Sequence, residues 1–134
     1  NPVVGYCGKQ LCRSIAETSG GQATRGRDST VQDSGMGSEN IDTGEILHTG
    51  DVEAQVRYAY DRIAAILGNN KCGFGEVARV VAYLIDMRHK DIYERVQGEY
   101  FSGFNMPVHS LVEVSALAWP GMLVEVEVTA VRPH

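Results

Sequence analysis

The sequence predicts an α+β protein in which two helices pack on one face of a mixed β-sheet. Two segments carry apolar residues at helical spacing, and others alternate or run apolar as strands do. Along the chain the order is strand, long loop, helix, strand, helix and two strands, which favours both helices on the same face. A chain of 134 residues is the size of one ordinary domain, so we expect a single domain over residues 1–134.

The two helices are the most clearly marked elements. The first is predicted over residues 51–67, where apolar residues share one face and Asp51 lies near the positive end of the helix dipole. Gly68-Asn69-Asn70 tolerates left-handed geometry and is expected to end it. The second helix is predicted over residues 90–101, where Gly98 weakens the pattern.

Three strands are predicted in the second half of the chain. Residues 76–86 form a nearly continuous apolar run, which is typical of an interior strand covered on both faces. Residues 108–114 and 123–131 alternate, and the turn Trp119-Pro120-Gly121 between them favours an antiparallel hairpin. A weaker strand is predicted around residues 10–18.

Residues 19–49 are rich in Gly, Ser, Thr, Asp and Asn, and we expect a long loop there. Its first part carries glycines but lacks the Gly-Lys-Ser/Thr ending of a phosphate-binding loop. Arg25 and Arg27 are the paired basic residues of this loop and are candidates for holding an anionic substrate.

The composition and charge of the chain indicate which partners and which cellular compartment to expect. A net charge of −5 with scattered Lys and Arg argues against nucleic acid as a partner, and no stretch is long and apolar enough to cross a bilayer. The first residues do not read as a signal peptide, so we expect a cytoplasmic protein. Three cysteines without clustered histidines favour free thiols over disulfides or a zinc site, and we expect no cofactor.

Several motifs after residue 50 resemble those of the Rid/YjgF family, the reactive intermediate deaminases. The Asp-Val-x-x-Gln opening of the first helix is one, and Glu99-Tyr100-Phe101 at the end of the second is another. Further motifs are Pro107-x-x-Ser110-x-Val112-Glu113-Val114 and the closing Val124-Glu125-Val126-Glu127-x-x-Ala130-Val131.

This resemblance implies a chorismate-mutase-like subunit that assembles into a barrel-like homotrimer, with a small-molecule cleft between each pair of neighbours. It also implies hydrolysis of an enamine or imine carboxylate, such as 2-aminoacrylate or 2-aminomuconate, to a keto acid and ammonia. In the family an arginine clamps the carboxylate through two hydrogen bonds.

The resemblance also implies roles for individual residues. Tyr6 matches a tyrosine that lines the cleft, Gly20 a glycine at a strand end, and Glu125 a glutamate that helps to activate the attacking water. In Pro107-Val108-His109-Ser110, His109 stands at the position of the clamp arginine and Ser110 follows it as a substrate-binding candidate. Glu94 stands where many members have an asparagine in the second helix.

Alternatives remain open for these residues. His109 and Glu125 could act together as acid and base, or His109 could only fill the cleft or form a hydrogen bond at the trimer interface. Glu125 and Glu127 share one strand face, either as paired carboxylates or as its solvated side. Tyr6 could simply be packed.

The leading functional hypothesis is a hydrolytic deaminase that uses Glu125 and His109. The first alternative is an enzyme of the same fold with shifted chemistry, either a tautomerase or a hydrolase of a ring or enol ether. The second is a trimer that binds a metabolite without turnover. A ribonuclease is a further alternative, which the acidic charge disfavours.

Overall fold

A four-stranded mixed sheet forms one layer of the structure and two helices form the other. The computed structural model describes residues 30–32 and 35–132. The strands are β1 (Thr30–Gln32), β2 (Val77–Leu84), β3 (Val108–Glu113) and β4 (Val124–Val131), and the helices are α1 (Val52–Asn69) and α2 (Lys90–Tyr100). This confirms the predicted α+β fold with two helices on a mixed sheet.

The order of strands in the sheet is β1-β4-β2-β3, which makes the predicted hairpin of residues 108–114 and 123–131 wrong. Strand β2 lies between β3 and β4, parallel to β3 and antiparallel to β4. The reason is that α2 connects β2 to β3 as the helical crossover that a parallel pair requires. Alternation marks the two faces of a strand and carries no information about its partner.

Helix α1 begins where the sequence indicates and is joined to the sheet by one buried amide. The Asp51 side chain accepts a hydrogen bond from the Ala54 amide at 3.1 Å, which caps the helix. Gln55 is fully buried; it donates to the Gly121 carbonyl and accepts from the Leu123 amide, both at 2.8 Å. Gln55 therefore fixes α1 against the start of β4.

The core lies between the helices and one face of the sheet. Val80, Ala82 and Leu84 of β2 are fully buried on that face, whereas Val81 and Tyr83 on the other face are only partly buried. The prediction that residues 76–86 form an interior strand is confirmed, because β2 has a neighbour on each side. Within residues 30–32 and 35–132, however, only one face of the strand is covered. We call the uncovered side the open face of the sheet.

The region predicted as a loop over residues 19–49 contains a strand in its described part. β1 pairs antiparallel with β4, and Met36 continues this pairing through a two-way hydrogen-bonded bridge to Val126. Alternation of only three residues is too short a signal to predict such a strand. The strand predicted around residues 10–18 lies outside the described residues.

Neither α1 nor α2 is both long and apolar enough to span a membrane, and the same holds for the rest of residues 30–32 and 35–132.

Candidate functional site

Glu125 is a buried carboxylate on the open face of the sheet. Its neighbours along β4, Val124 and Val126, are fully buried and face the helices, so the Glu125 side chain points to the other side. Its register partner on β2 is Tyr83. Only 4% of Glu125 is exposed, and a carboxylate so far removed from water is costly unless it has a function or firm partners.

Gly35 covers Glu125. Its backbone has a φ of +95°, and a Cβ atom built on it would lie 2.9 Å from Oε1 of Glu125. Glycine suits this position, because any other residue would be strained by the backbone and would push against the Glu125 carboxylate. The adjacent Met36–Val126 bridge holds this close approach in place.

A second acid, Glu127, lies next to Glu125 on the same face. Burial raises the pKa of Glu127, while a hydrogen bond with Tyr83 and the positive charge of Arg79 act against that rise. Burial is also the main cause that raises the pKa of Tyr83, followed by the charge of Glu127. Arg79, Tyr83, Glu125 and Glu127 therefore form a polar row on the open face.

His109 lies on the other side of the sheet, against helix α2. Its ring stacks on Tyr93 with centroids 5.7 Å apart and planes 13° from parallel. Nε2 of His109 is buried and has no hydrogen-bond partner among the described residues. Burial lowers the pKa of His109, and the negative charge of Glu94 opposes that shift. The imidazole is therefore neutral at pH 7.

Glu94 lies on the same side of the sheet as His109, and Ser110 lies on the same face as Glu125. Glu94 is exposed on α2, where it forms an ion pair with Lys90 at 3.6 Å. Ser110 pairs with Val81, which pairs with Glu127, so Ser110 lies on the open face two strands away from the acids. The structure thus divides the predicted site residues into two groups on opposite faces. Tyr6, Gly20, Arg25 and Arg27 lie outside the described residues.

Sequence reasoning missed Gly35 and Tyr83 as neighbours of Glu125. The glycine it placed at a strand end was Gly20, whereas the glycine that the structure brings to Glu125 is Gly35. The available signal was the Ser-Gly pair at residues 34 and 35, which resembles the pair at residues 19 and 20. Tyr83 gave no signal, because aromatic residues are common in strands.

Residues 30–32 and 35–132 contain no candidate metal site. No group of three His, Cys, Asp or Glu side chains comes together there in a way that could hold a metal ion. Cys72 is a buried free thiol at the end of α1. The chemistry available from the described residues is that of carboxyl, phenol and imidazole groups.

The sequence matches both a known family and known proteins. Residues 15–132 match the family model described as Endoribonuclease L-PSP. A RutC family protein of Synechocystis is 32% identical over 91 residues, which cover 68% of this chain and 69% of that protein.

Solved structures show the same fold. A member of the YjgF/YER057c/UK114 family from Mycobacterium tuberculosis, 31% identical, superposes with a TM-score of 0.66 over 78% of this chain and 80% of its own. TdcF of E. coli, whose structure contains bound serine, is 26% identical with a TM-score of 0.71 over 84% of this chain and 90% of its own.

Proposed function

Because the chain belongs to the endoribonuclease L-PSP family, which includes the Rid/YjgF proteins, we propose that it is a hydrolytic deaminase of small conjugated enamines or imines. Its substrates resemble 2-aminoacrylate or 2-aminomuconate. The reaction takes place in clefts between the subunits of a homotrimer, in the cytoplasm. The observation that carries this proposal is the buried Glu125 carboxylate beneath Gly35.

Glu125 is suited to act as the general base. Its carboxylate accepts a proton from water as the water oxygen attacks the imine carbon. The resulting carbinolamine then loses ammonia and leaves a carbonyl group. Because Gly35 leaves so little room, the position of the carboxylate is fixed before substrate binds.

The open face of the sheet supports assembly into a trimer. Val108 is 70% exposed and Val112 is 41% exposed on this face, and β3 is an edge strand with no partner on one side among the described residues. Exposed apolar side chains beside an unpaired strand edge are typical of an interface between subunits. A neighbouring copy that covers this face would also close the cleft over Glu125.

The bound serine in TdcF supports a small amino or imino acid as the ligand class. His109 separates this chain from relatives that have the clamp arginine, because a neutral imidazole offers one hydrogen bond where arginine offers two. In this proposal His109 and Glu94 bind the substrate from the neighbouring subunit, and Ser110 contacts it from the face that carries Glu125. Tyr6 and Gly20 lie outside the described residues, and their proposed substrate-binding roles rest on the resemblance to the family alone.

A second candidate function follows from the same histidine. Burial keeps His109 neutral, so it could move a proton between two carbon atoms of a substrate that lacks a carboxylate. The protein would then be a tautomerase, or a ring or enol-ether hydrolase, on the same fold. A trimer that binds a metabolite without turnover is the remaining alternative.

Ammonia release from freshly generated 2-aminoacrylate and from 2-aminomuconate tests the proposal. The native protein should release ammonia, and Glu125→Ala and His109→Ala should each abolish that release. Glu45→Gln serves as a control, because Glu45 is exposed in the loop before α1. If only the His109→Arg variant released ammonia, the native protein would catalyse a different reaction from the deamination of these substrates. A folded protein that is stabilised by the metabolite but forms no product would favour the binding trimer.

A further inference from the structure

Glu125 and Glu127 are two carboxyl groups with different surroundings on one strand face. Residues two apart along a strand are separated by about 7 Å, which leaves room for a water molecule and a reacting carbon between them. Glu125 is covered by Gly35, whereas Glu127 is partly buried and is hydrogen-bonded to Tyr83. When two acids share a site in this way, one of them keeps its proton.

Several groups face Glu127 and influence how firmly it holds its proton. From β2 these are the Tyr83 hydroxyl and the Arg79 guanidinium, and from β4 itself the neighbouring Glu125. The described residues of β1, Thr30–Gln32, carry no charge. Burial is the largest influence on Glu127 and raises its pKa despite Tyr83 and Arg79.

His109 is a poor source of the proton that the imine nitrogen needs. Within one chain it lies on the face of the sheet opposite Glu125, and burial lowers its pKa, which disfavours the protonated imidazole that would act as the acid. Glu127 is on the same face as Glu125 and retains its proton to a higher pH than an exposed glutamate.

We infer that Glu127 is the general acid that complements Glu125, and that Tyr83 is the positioning residue that orients the Glu127 carboxyl group. This inference rests on the proposed deaminase function. As water adds, the C–O bond forms, Glu125 takes a proton from the water, and the nitrogen takes the proton of Glu127. When the carbinolamine breaks down, Glu125 returns its proton to the nitrogen and Glu127 takes the proton of the hydroxyl group. The C–N bond then breaks and ammonia is released.

The pH profile of ammonia release tests this assignment in the full-length protein. The acidic limb reports ionisation of the base, and the alkaline limb reports loss of the proton from the acid. Glu127→Gln should lower kcat by about 100-fold or more, the usual contribution of a general acid, and should remove the alkaline limb. Tyr83→Phe should move the alkaline limb to higher pH, because the lost hydrogen bond favours the ionised form of Glu127.

Two control variants separate these effects from general damage. Glu45→Gln removes an exposed carboxylate, and Tyr58→Phe removes a phenol hydroxyl on the outer side of α1. Both should keep the native profile. A native alkaline limb in Glu127→Gln would overturn the acid role, and an unmoved limb in Tyr83→Phe would overturn the role of Tyr83.

A titration of the side-chain carboxyl groups by carbon-13 NMR tests the same claim without turnover. The midpoint of Glu127 should lie above that of an exposed glutamate in the native protein, and should rise further in Tyr83→Phe. A Glu127 midpoint at the ordinary value would overturn the inference. If the native protein releases no ammonia from either substrate, the proposed function fails and the acid role fails with it. Native turnover that is insensitive to Glu127→Gln overturns the acid role alone.

Discussion

His109 and Glu125 lie on opposite faces of one sheet. His109 pairs with Val80, whose side chain is in the core beneath the helices, and Glu125 pairs with Tyr83, which faces the other way. Within a single chain the two side chains are separated by the sheet itself. They can act on one substrate only if His109 comes from one subunit and Glu125 from its neighbour.

Replacement of Gly35 should destabilise the protein more than replacement of another glycine with similar backbone geometry. Gly35→Ala places a methyl group 2.9 Å from Glu125, whereas at Gly50, with a φ of +79°, a Cβ atom meets nothing within 4 Å. The positive φ alone costs about 1–3 kcal/mol of unfolding free energy in either variant. Urea denaturation should therefore show a larger loss for Gly35→Ala. Equal losses would mean that the contact with Glu125 is easily relieved.

The ion pair between Arg62 and Glu39 should be important for stability because it is largely buried. Their side chains are 14% and 5% exposed and lie 3.4 Å apart, and Arg62 also donates to the carbonyl oxygens of Gly37 and Glu39. Arg62→Leu leaves a buried carboxylate without its cation and should cost about 3–5 kcal/mol in urea denaturation.

The control for this change is Arg57→Leu on the exposed side of α1. Arg57 binds Glu99 at 2.6 Å, but both side chains are well exposed, at 38% and 50%. Exposed pairs contribute about 0–1 kcal/mol, so this variant should be nearly as stable as the native protein. If both variants lost the same small amount of stability, other partners of Glu39 would compensate for the loss of Arg62.

His109 should make stability depend on pH in the weakly acidic range. Its pKa is lowered in the folded protein from an ordinary value of 6.5, so below that pH the unfolded chain binds a proton that the folded chain resists. The free energy of unfolding should consequently fall as the pH drops from 6.5 toward the folded pKa of His109.

His109→Gln should remove this part of the pH dependence in a series of urea denaturations. His48→Asn is the control, because His48 is exposed and its φ of 56° suits asparagine. A change in slope that both variants shared would not come from the burial of His109. A His109→Gln protein with the native slope would show that the buried imidazole accepts a proton without cost.

The elements that the sequence predicts well are those with local signals. Apolar spacing and the acidic Asp51 near the positive end of the helix dipole define α1 within a few residues, and the same kind of spacing defines α2. The partners of β3 and β4 could not be predicted in this way. Pairing depends on the α2 crossover, which joins residues distant in the chain.

The candidate site was predicted only in part for a related reason. Resemblance to the family pointed to Glu125 and His109, but their separation by the sheet depends on the register of β2 with both of its neighbours. The close approach of Gly35 to Glu125 depends on the Met36–Val126 bridge, between residues 90 positions apart in sequence. Composition and periodicity do not predict contacts between residues so far apart in sequence.

Mixed assemblies of two inactive variants test the central claim most directly. His109→Ala and Glu125→Ala subunits are unfolded together, refolded as a mixture, and assayed for ammonia release. If each cleft takes His109 from one subunit and Glu125 from the next, random mixing should restore both residues in about one quarter of the clefts. Recovery of about that fraction of native activity would support the account, and a mixture no more active than the separate variants would contradict it.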